Sequence, residues 1–131
     1  MKTNVPLLFA ALLIPLQIAF SHAEAERTYL GPQVLTATHI DKIKRGITDR
    51  LRDPESARFD RIGSAQFSDG STTVCGYVNA KNLFGGYVGK EPFIGIGTHD
   101  FSQFRVMHIG GTVAEMMAII DVCGQIHINL K

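Results

Sequence analysis

The chain has no tryptophan, only two cysteines in 131 residues, and no surplus of either charge: 13 basic against 12 acidic residues leave a net charge of +1. Near-neutrality leaves no excess of Lys and Arg to neutralise phosphates, so a nucleic-acid-binding arm is set aside and no nucleic acid is expected as a partner. Internal repeats, heptads and low-complexity tracts are missing as well, which excludes solenoids and coiled coils. Past residue 20 no long apolar run remains. With 45% hydrophobic and 8% aromatic residues, the chain is nevertheless too apolar to be a disordered tail, and its length permits one domain.

The hydrophobicity is crowded at the start. Lys2 supplies a thin positive region, residues 5–20 form an apolar run broken by Pro6, Pro15 and Gln17, and Ser21-His22-Ala23-Glu24-Ala25 offers two small-x-small cleavage frames. Residues 1–25 read as a signal peptide cut after Ala23 or Ala25. The run falls short of the ~20 apolar residues of a spanning helix, and no cysteine follows it to carry a lipid. The expected product is periplasmic or secreted, with no membrane insertion after cleavage. In an oxidising compartment Cys75 and Cys123 are expected to form a disulfide. Chain entropy makes such a bridge worth about 4 kcal/mol. The alternative, a reactive thiol, finds no charge within Thr73-Val74-Cys75-Gly76-Tyr77 to lower its pKa.

Residues 26–37 contain Gly31-Pro32 and hold no period, so they read as an extended lead-in to a single α+β domain over residues 38–131. Ile40, Ile43, Ile47 and Leu51 recur at helical steps, Thr38 with Asp41 has capping-box spacing, and Asp53-Pro54 stops the helix. Asp53 is placed to cap a further turn that opens at Pro54. The basic residues of this segment interleave with Asp41, Asp49, Asp53 and Glu55, as a solvated helix face requires. From Arg58 the grammar changes to Phe-, Val-, Ile-, Thr- and Tyr-rich stretches between turns, the mark of an antiparallel sheet of four to five strands. Strands are expected over residues 59–67, 72–81, 86–96 and 101–109, with a hairpin at Ser68-Asp69-Gly70-Ser71, a turn at Thr98-His99-Asp100, and Pro92 at a bulge or edge. Thr112 and Glu115 form a second capping box for a C-terminal helix with Val113, Met116, Met117 and Ile120 on its stripe and Gly124 just past its end. Ile126, Ile128 and Leu130 then alternate like a short closing strand. Both helices are expected on one sheet face, with the disulfide tying the last helix to the sheet.

Chemistry-bearing residues are sparse. His99, His108 and His127, with Asp100, match no metal-ligand spacing, and Ser56 and Ser64 lack a nucleophile elbow, so no catalytic residue, metal or cofactor is assigned. Asn79, Lys81, Asn82, Phe84 and Tyr87 gather an ammonium, two amides, a phenyl ring and a phenol around Gly85-Gly86, the composition of a binding loop. The competing reading is a stiff loop in which asparagine side chains bond their own backbone.

The stretches Leu51-Arg52-Asp53-Pro54-Glu55-Ser56-Ala57-Arg58-Phe59 and Val74-Cys75-Gly76-Tyr77-Val78-Asn79-Ala80-Lys81-Asn82-Leu83-Phe84-Gly85-Gly86-Tyr87 resemble those of a family of small secreted proteins of Gram-negative bacteria. An acidic residue often precedes the second valine in that family, where this chain has Tyr77. The resemblance implies a layout and an exported address, and no activity. The expectation is a small non-enzymatic binding or inhibitor-like protein of the cell envelope, whose partner is a protein or another envelope component. Two alternatives stand beside it: a secreted hydrolase or toxin using His99, His108 or His127, and a structural component of an envelope assembly.

Overall fold

The computed structural model describes residues 26–131, so the expected signal peptide at residues 1–25 lies outside the described part. Five strands form one antiparallel sheet in chain order: β1 (Tyr29–Pro32), β2 (Arg58–Phe67), β3 (Ser71–Asn79), β4 (Glu91–Thr98) and β5 (Phe104–Ile109). Two helices, α1 (Ala37–Thr48) and α2 (Val113–Gln125), flank it, and Pro54–Ser56 adds one turn of 3-10 helix. The chain is therefore α+β, with the Cys75–Cys123 bridge formed at an S–S distance of 2.03 Å.

Within the expected extended lead-in, Tyr29–Pro32 joins the sheet as β1, and the residues on either side of it are irregular up to the start of α1. Arg27 donates to Ser71 Oγ at 3.1 Å and Thr73 Oγ1 at 2.8 Å, pairs with Asp69 at 3.4 Å and lies 3.6 Å from the Phe67 ring centre. These contacts hold the chain against the β2–β3 hairpin, and β1 pairs with β2. That hairpin turns as expected: Gly70, at φ +80°, donates to Phe67 O, and Asp69 Oδ1 accepts from Ser71 N–H.

Helix α1 starts earlier than its expected cap. Thr36, not Thr38, is the N-cap: its hydroxyl accepts from His39 N–H, and His39 Nδ1 accepts from Thr36 N–H. Asp41 plays no capping part because the box closes two residues upstream. Ile43 and Ile47 are fully buried against Val74, Val78, Phe93, Phe101 and Val106. Ile119 and Cys123 of α2 belong to a separate cluster with Ala65, Phe67, Cys75, Ile128 and Leu130. Successive strand residues point to opposite faces, so Val74 and Cys75 assign the two clusters to the two sides of β3. The helices thus cover opposite faces of the sheet, which corrects the one-face expectation. Burial of every residue from Thr72 to Gly76 is its trace in β3.

Other boundaries move for physical reasons. The third expected strand begins only at Glu91, since residues 86–90 belong to a separate hairpin. The fourth begins at Phe104, because Asp100 gathers Thr98 and Ser102 into a loop in which Phe101 sits at φ +53°. Pro92 lies in an interior strand with no register shift beside it on β3, and its carbonyl accepts from Gly110 just past the end of β5. The missing N–H faces that same side, where the β4–β5 ladder has run out, so no edge position is needed. The bulge this strand does carry faces β5 too, between Ile94 and Gly95, two residues past the proline. Asp53 precedes the 3-10 turn but its side chain makes no cap bond.

In α2 the capping box of Thr112 and Glu115 forms as expected. The buried stripe is Ile119 and Cys123, while Val113 and Met117 are 68% and 66% exposed. The disulfide sets this phase by turning Cys123 inward. Gly124 lies inside the helix; Ile126 is the C-cap and His127 takes the left-handed turn at φ +63°. No closing strand follows. Ile128 and Leu130 alternate inward as an extended tail against the sheet face, where Tyr77 donates its hydroxyl to Leu130 O and Arg61 donates to Lys131 O.

Candidate functional site

The connection from β3 to β4 is a small hairpin of its own. Val88 N–H donates to Ala80 O at 3.3 Å, Lys81 and Tyr87 form an antiparallel bridge, and Asn82 N–H donates to Gly86 O at 2.8 Å. The tip closes by a Gly85 N–H bond to Asn82 O at 3.1 Å, with Gly85 at φ +79° where a side chain would be strained. Asn82 builds the tip from inside: its Oδ1 accepts from Phe84 N–H at 2.9 Å and from Gly86 N–H at 3.2 Å. Asn79 does the same at the base, accepting from Gly89 N–H at 3.1 Å.

The base rests on the 3-10 turn. Lys81 N–H donates to Ser56 Oγ at 2.8 Å and Tyr87 donates its hydroxyl to Ser56 O at 3.1 Å. Ser56 is held in turn by its hydroxyl bond to Asp53 O. The Arg58 guanidinium lies 4.3 Å from the centre of the Tyr87 ring and the Lys81 ammonium 5.7 Å from it, both within cation–π range. The two sequence stretches singled out above, residues 51–59 and 74–87, therefore meet through Ser56 and Arg58.

Of the five residues assigned to binding, Lys81, Asn82, Phe84 and Tyr87 sit in this hairpin and Asn79 ends the strand at its base, but their work divides. Asn79 and Asn82 spend their side-chain oxygens on backbone, and Tyr87 spends its hydroxyl on Ser56, so these three shape the loop. Phe84, 94% exposed, is free at the tip. Leu83, 73% exposed beside it, was passed over by sequence reasoning although it is the other central residue of the turn. Its signal was available: two large apolar residues stand between Asn82 and Gly85-Gly86, positions a turn leaves in solvent. Lys81 and Arg58 have no carboxylate within ion-pair distance among the described residues, whereas Lys90 is paired with Asp60 at 2.6 Å. That pairing holds the Asp60 carboxyl below its usual range.

The histidines are not brought together. His99 shares a hydrogen bond with Gln66, His108 Nε2 pairs with Glu115 Oε1 at 3.2 Å, and His127 stacks 4.9 Å from Tyr29. Ser64 donates its hydroxyl to Gln33 O. Glu115 is pushed down to about 2, first by the Thr112 N–H and hydroxyl and then by the Gly111 N–H. Glu91, partly buried, is pushed up by loss of water. Among the described residues no three His, Cys, Asp or Glu side chains lie close enough to hold a metal ion.

An open groove of about 630 Å³ lies at the end of the sheet opposite the hairpin, lined by Asp69, Ser71, Ile96, Thr98, Gln103 and Arg105. Asp69 is engaged with Ser71 and Arg27, and Thr98 and Ser102 with Asp100, while the Gln103 and Arg105 side chains have no hydrogen-bond or ion-pair partner among the described residues. No described helix is long and apolar enough to cross a membrane. Comparison with protein families, with curated proteins and with solved structures returns no match.

Proposed function

We propose that the protein is an exported, non-enzymatic recognition module of the cell envelope that works through the 80–88 hairpin. The observation that carries this reading is the contrast within the loop: a backbone fastened by Asn79, Asn82 and Ser56 holds Phe84 almost fully in water. An exposed phenyl ring on a mobile loop would lose conformational entropy on contact, whereas here that ordering is already complete. The disulfide and the apolar leader fit an extracytoplasmic address.

The tip is a tight turn rather than an extended segment, and this favours docking over imitation of a protease substrate. Of the three histidines in the hydrolase alternative, His99 bonds Gln66, His108 pairs with Glu115 and His127 rests against Tyr29, and none has a hydrogen bond to Asp100, Glu91 or Ser64 among the described residues. The test is sedimentation of the purified, oxidised protein with isolated Gram-negative envelopes. Wild type is expected to sediment and the Leu83→Ser/Phe84→Ser variant to stay in solution with unchanged melting behaviour. Equal sedimentation of the two would reject the hairpin as the contact.

A further inference from the structure

We infer that the surface met by this hairpin is an anionic phospholipid surface, into whose headgroup region Leu83 and Phe84 insert; the inference rests on the reading of the hairpin just given. It begins with the backbone. An apolar medium offers no hydrogen bonds, so a segment entering it must satisfy its own polar groups. The N–H groups of Asn82, Phe84, Gly85, Gly86 and Val88 are all bonded within residues 80–88. The N–H groups of Leu83 and Tyr87 and the carbonyls of Leu83, Phe84 and Gly85 have no partner within the described residues, which suits a tip that enters the hydrated headgroup region and stops short of the hydrocarbon core.

Side-chain order along the hairpin points the same way. Residues 82–89 carry no charge, Leu83 and Phe84 stand at the tip, and Val88 is half exposed lower down. Tyr87 turns its hydroxyl back to Ser56 while its ring stays partly exposed, the arrangement of an aromatic residue at a membrane–water boundary. Below it lie Lys81 and Arg58, which have no carboxylate partner among the described residues and whose charged ends sit beside the Tyr87 ring, where they suit anionic headgroups.

Size decides between occupants. A stable protein interface needs roughly 800 Å² from each partner and about 20–30 residues a side. The exposed tip offers a handful of side chains, which is enough for interfacial insertion and short of an interface of that kind. Such a contact lies on a membrane and spans nothing. It departs from the expectation of no membrane insertion by the mature chain, which was read from the absence of a long apolar segment.

The absence of tryptophan makes the experiment clean. Phe84→Trp, a substitution at a side chain that packs on nothing, places a sole indole at the tip; Val34→Trp, 90% exposed, serves as the control at the β1–α1 connection. With vesicles of phosphatidylglycerol and phosphatidylethanolamine, the emission of Phe84→Trp should move to the blue and be quenched by brominated acyl chains, and that of Val34→Trp should do neither. Adding Leu83→Ser should weaken partitioning about tenfold, the loss of one buried leucine. Unshifted Phe84→Trp emission overturns the inference, and equal binding to pure phosphatidylcholine overturns its anionic part. If vesicles fail while envelopes still retain wild type and release Leu83→Ser/Phe84→Ser, the hairpin stands as the contact and its partner is a protein. If envelopes retain both equally, the underlying reading falls as well.

Discussion

Asn82 does for the hairpin tip what a capping residue does for a helix, taking two N–H groups that would otherwise face water alone. Asn82→Ala should cost about 1 kcal/mol in chemical denaturation and speed hydrogen exchange at Phe84 and Gly86, while Asn82→Asp keeps both bonds and should restore protection. His39 fills the third helical position of α1, where a glutamate would accept the Thr36 N–H equally well and add a negative charge at the positive end of the helix dipole. His39→Glu should therefore stabilise by about 0.5–1 kcal/mol at neutral pH. The two shifted glutamates act in opposite directions. Glu115 is held below its usual value of 4.5, so its contribution is complete above that pH and is lost as pH falls toward about 2. Glu115→Gln should flatten this acid limb of the stability profile. Glu91 is raised by burial, so its ionisation opposes folding as pH rises. Glu91→Gln should be more stable than wild type at pH 7 and indistinguishable from it in acid, as read from denaturation curves at the two pH values.

At the scale of elements, what the sequence made legible depended on whether one face had to be chosen. The Ser68-Asp69-Gly70-Ser71 turn, the start of α2 and the buried isoleucines of α1 follow from local chemistry and were readable. The phase of α2 was not, because Val113, Met116, Met117, Ile119, Ile120 and Val122 leave apolar residues on every side. Its disulfide holds the missing information: an inward Cys123 carries Ile119 inward one turn earlier and leaves Met117 in water. Ile119→Ala should cost about 2–5 kcal/mol, and Met117→Lys less than about 0.5 kcal/mol. Replacing Cys75 and Cys123 together with alanine should cost about 2–5 kcal/mol. Both cysteines are fully buried, so reductant should act on wild type only at the rate at which the fold opens. The final isoleucines misled for the opposite reason. Their period of two survives in an extended tail that lies on the sheet face and joins no ladder.

At the scale of the whole molecule, one helix packs on each face of the sheet. The large apolar side chains left in solvent are Leu83, Phe84 and Val88 of the hairpin together with Val113, Met117 and Val122 on the outer side of α2, Met107 of β5, Leu30 of β1 and Val34. The groove at the far end is open and only partly engaged, and the histidines are dispersed. The hairpin emerges from this body fixed at its base and bare at its tip. Its site was half legible: composition located the loop and raised the reading in which the asparagines bond their own backbone, but it could not decide for that reading or show that Leu83 looks out. Nor could it show that Lys81 and Tyr87 lean on Ser56, a contact between segments far apart in the chain. On export, the mature protein should begin at Glu24 or Glu26, which mass determination of the secreted product decides. The most direct test of the account is to follow the backbone amide resonances of the labelled, oxidised protein as isolated envelopes are added. Broadening confined to residues 81–88 is the predicted result. Broadening centred on the outer side of α2 or on the groove at Ser71 and Thr98, with the hairpin unaffected, would contradict it.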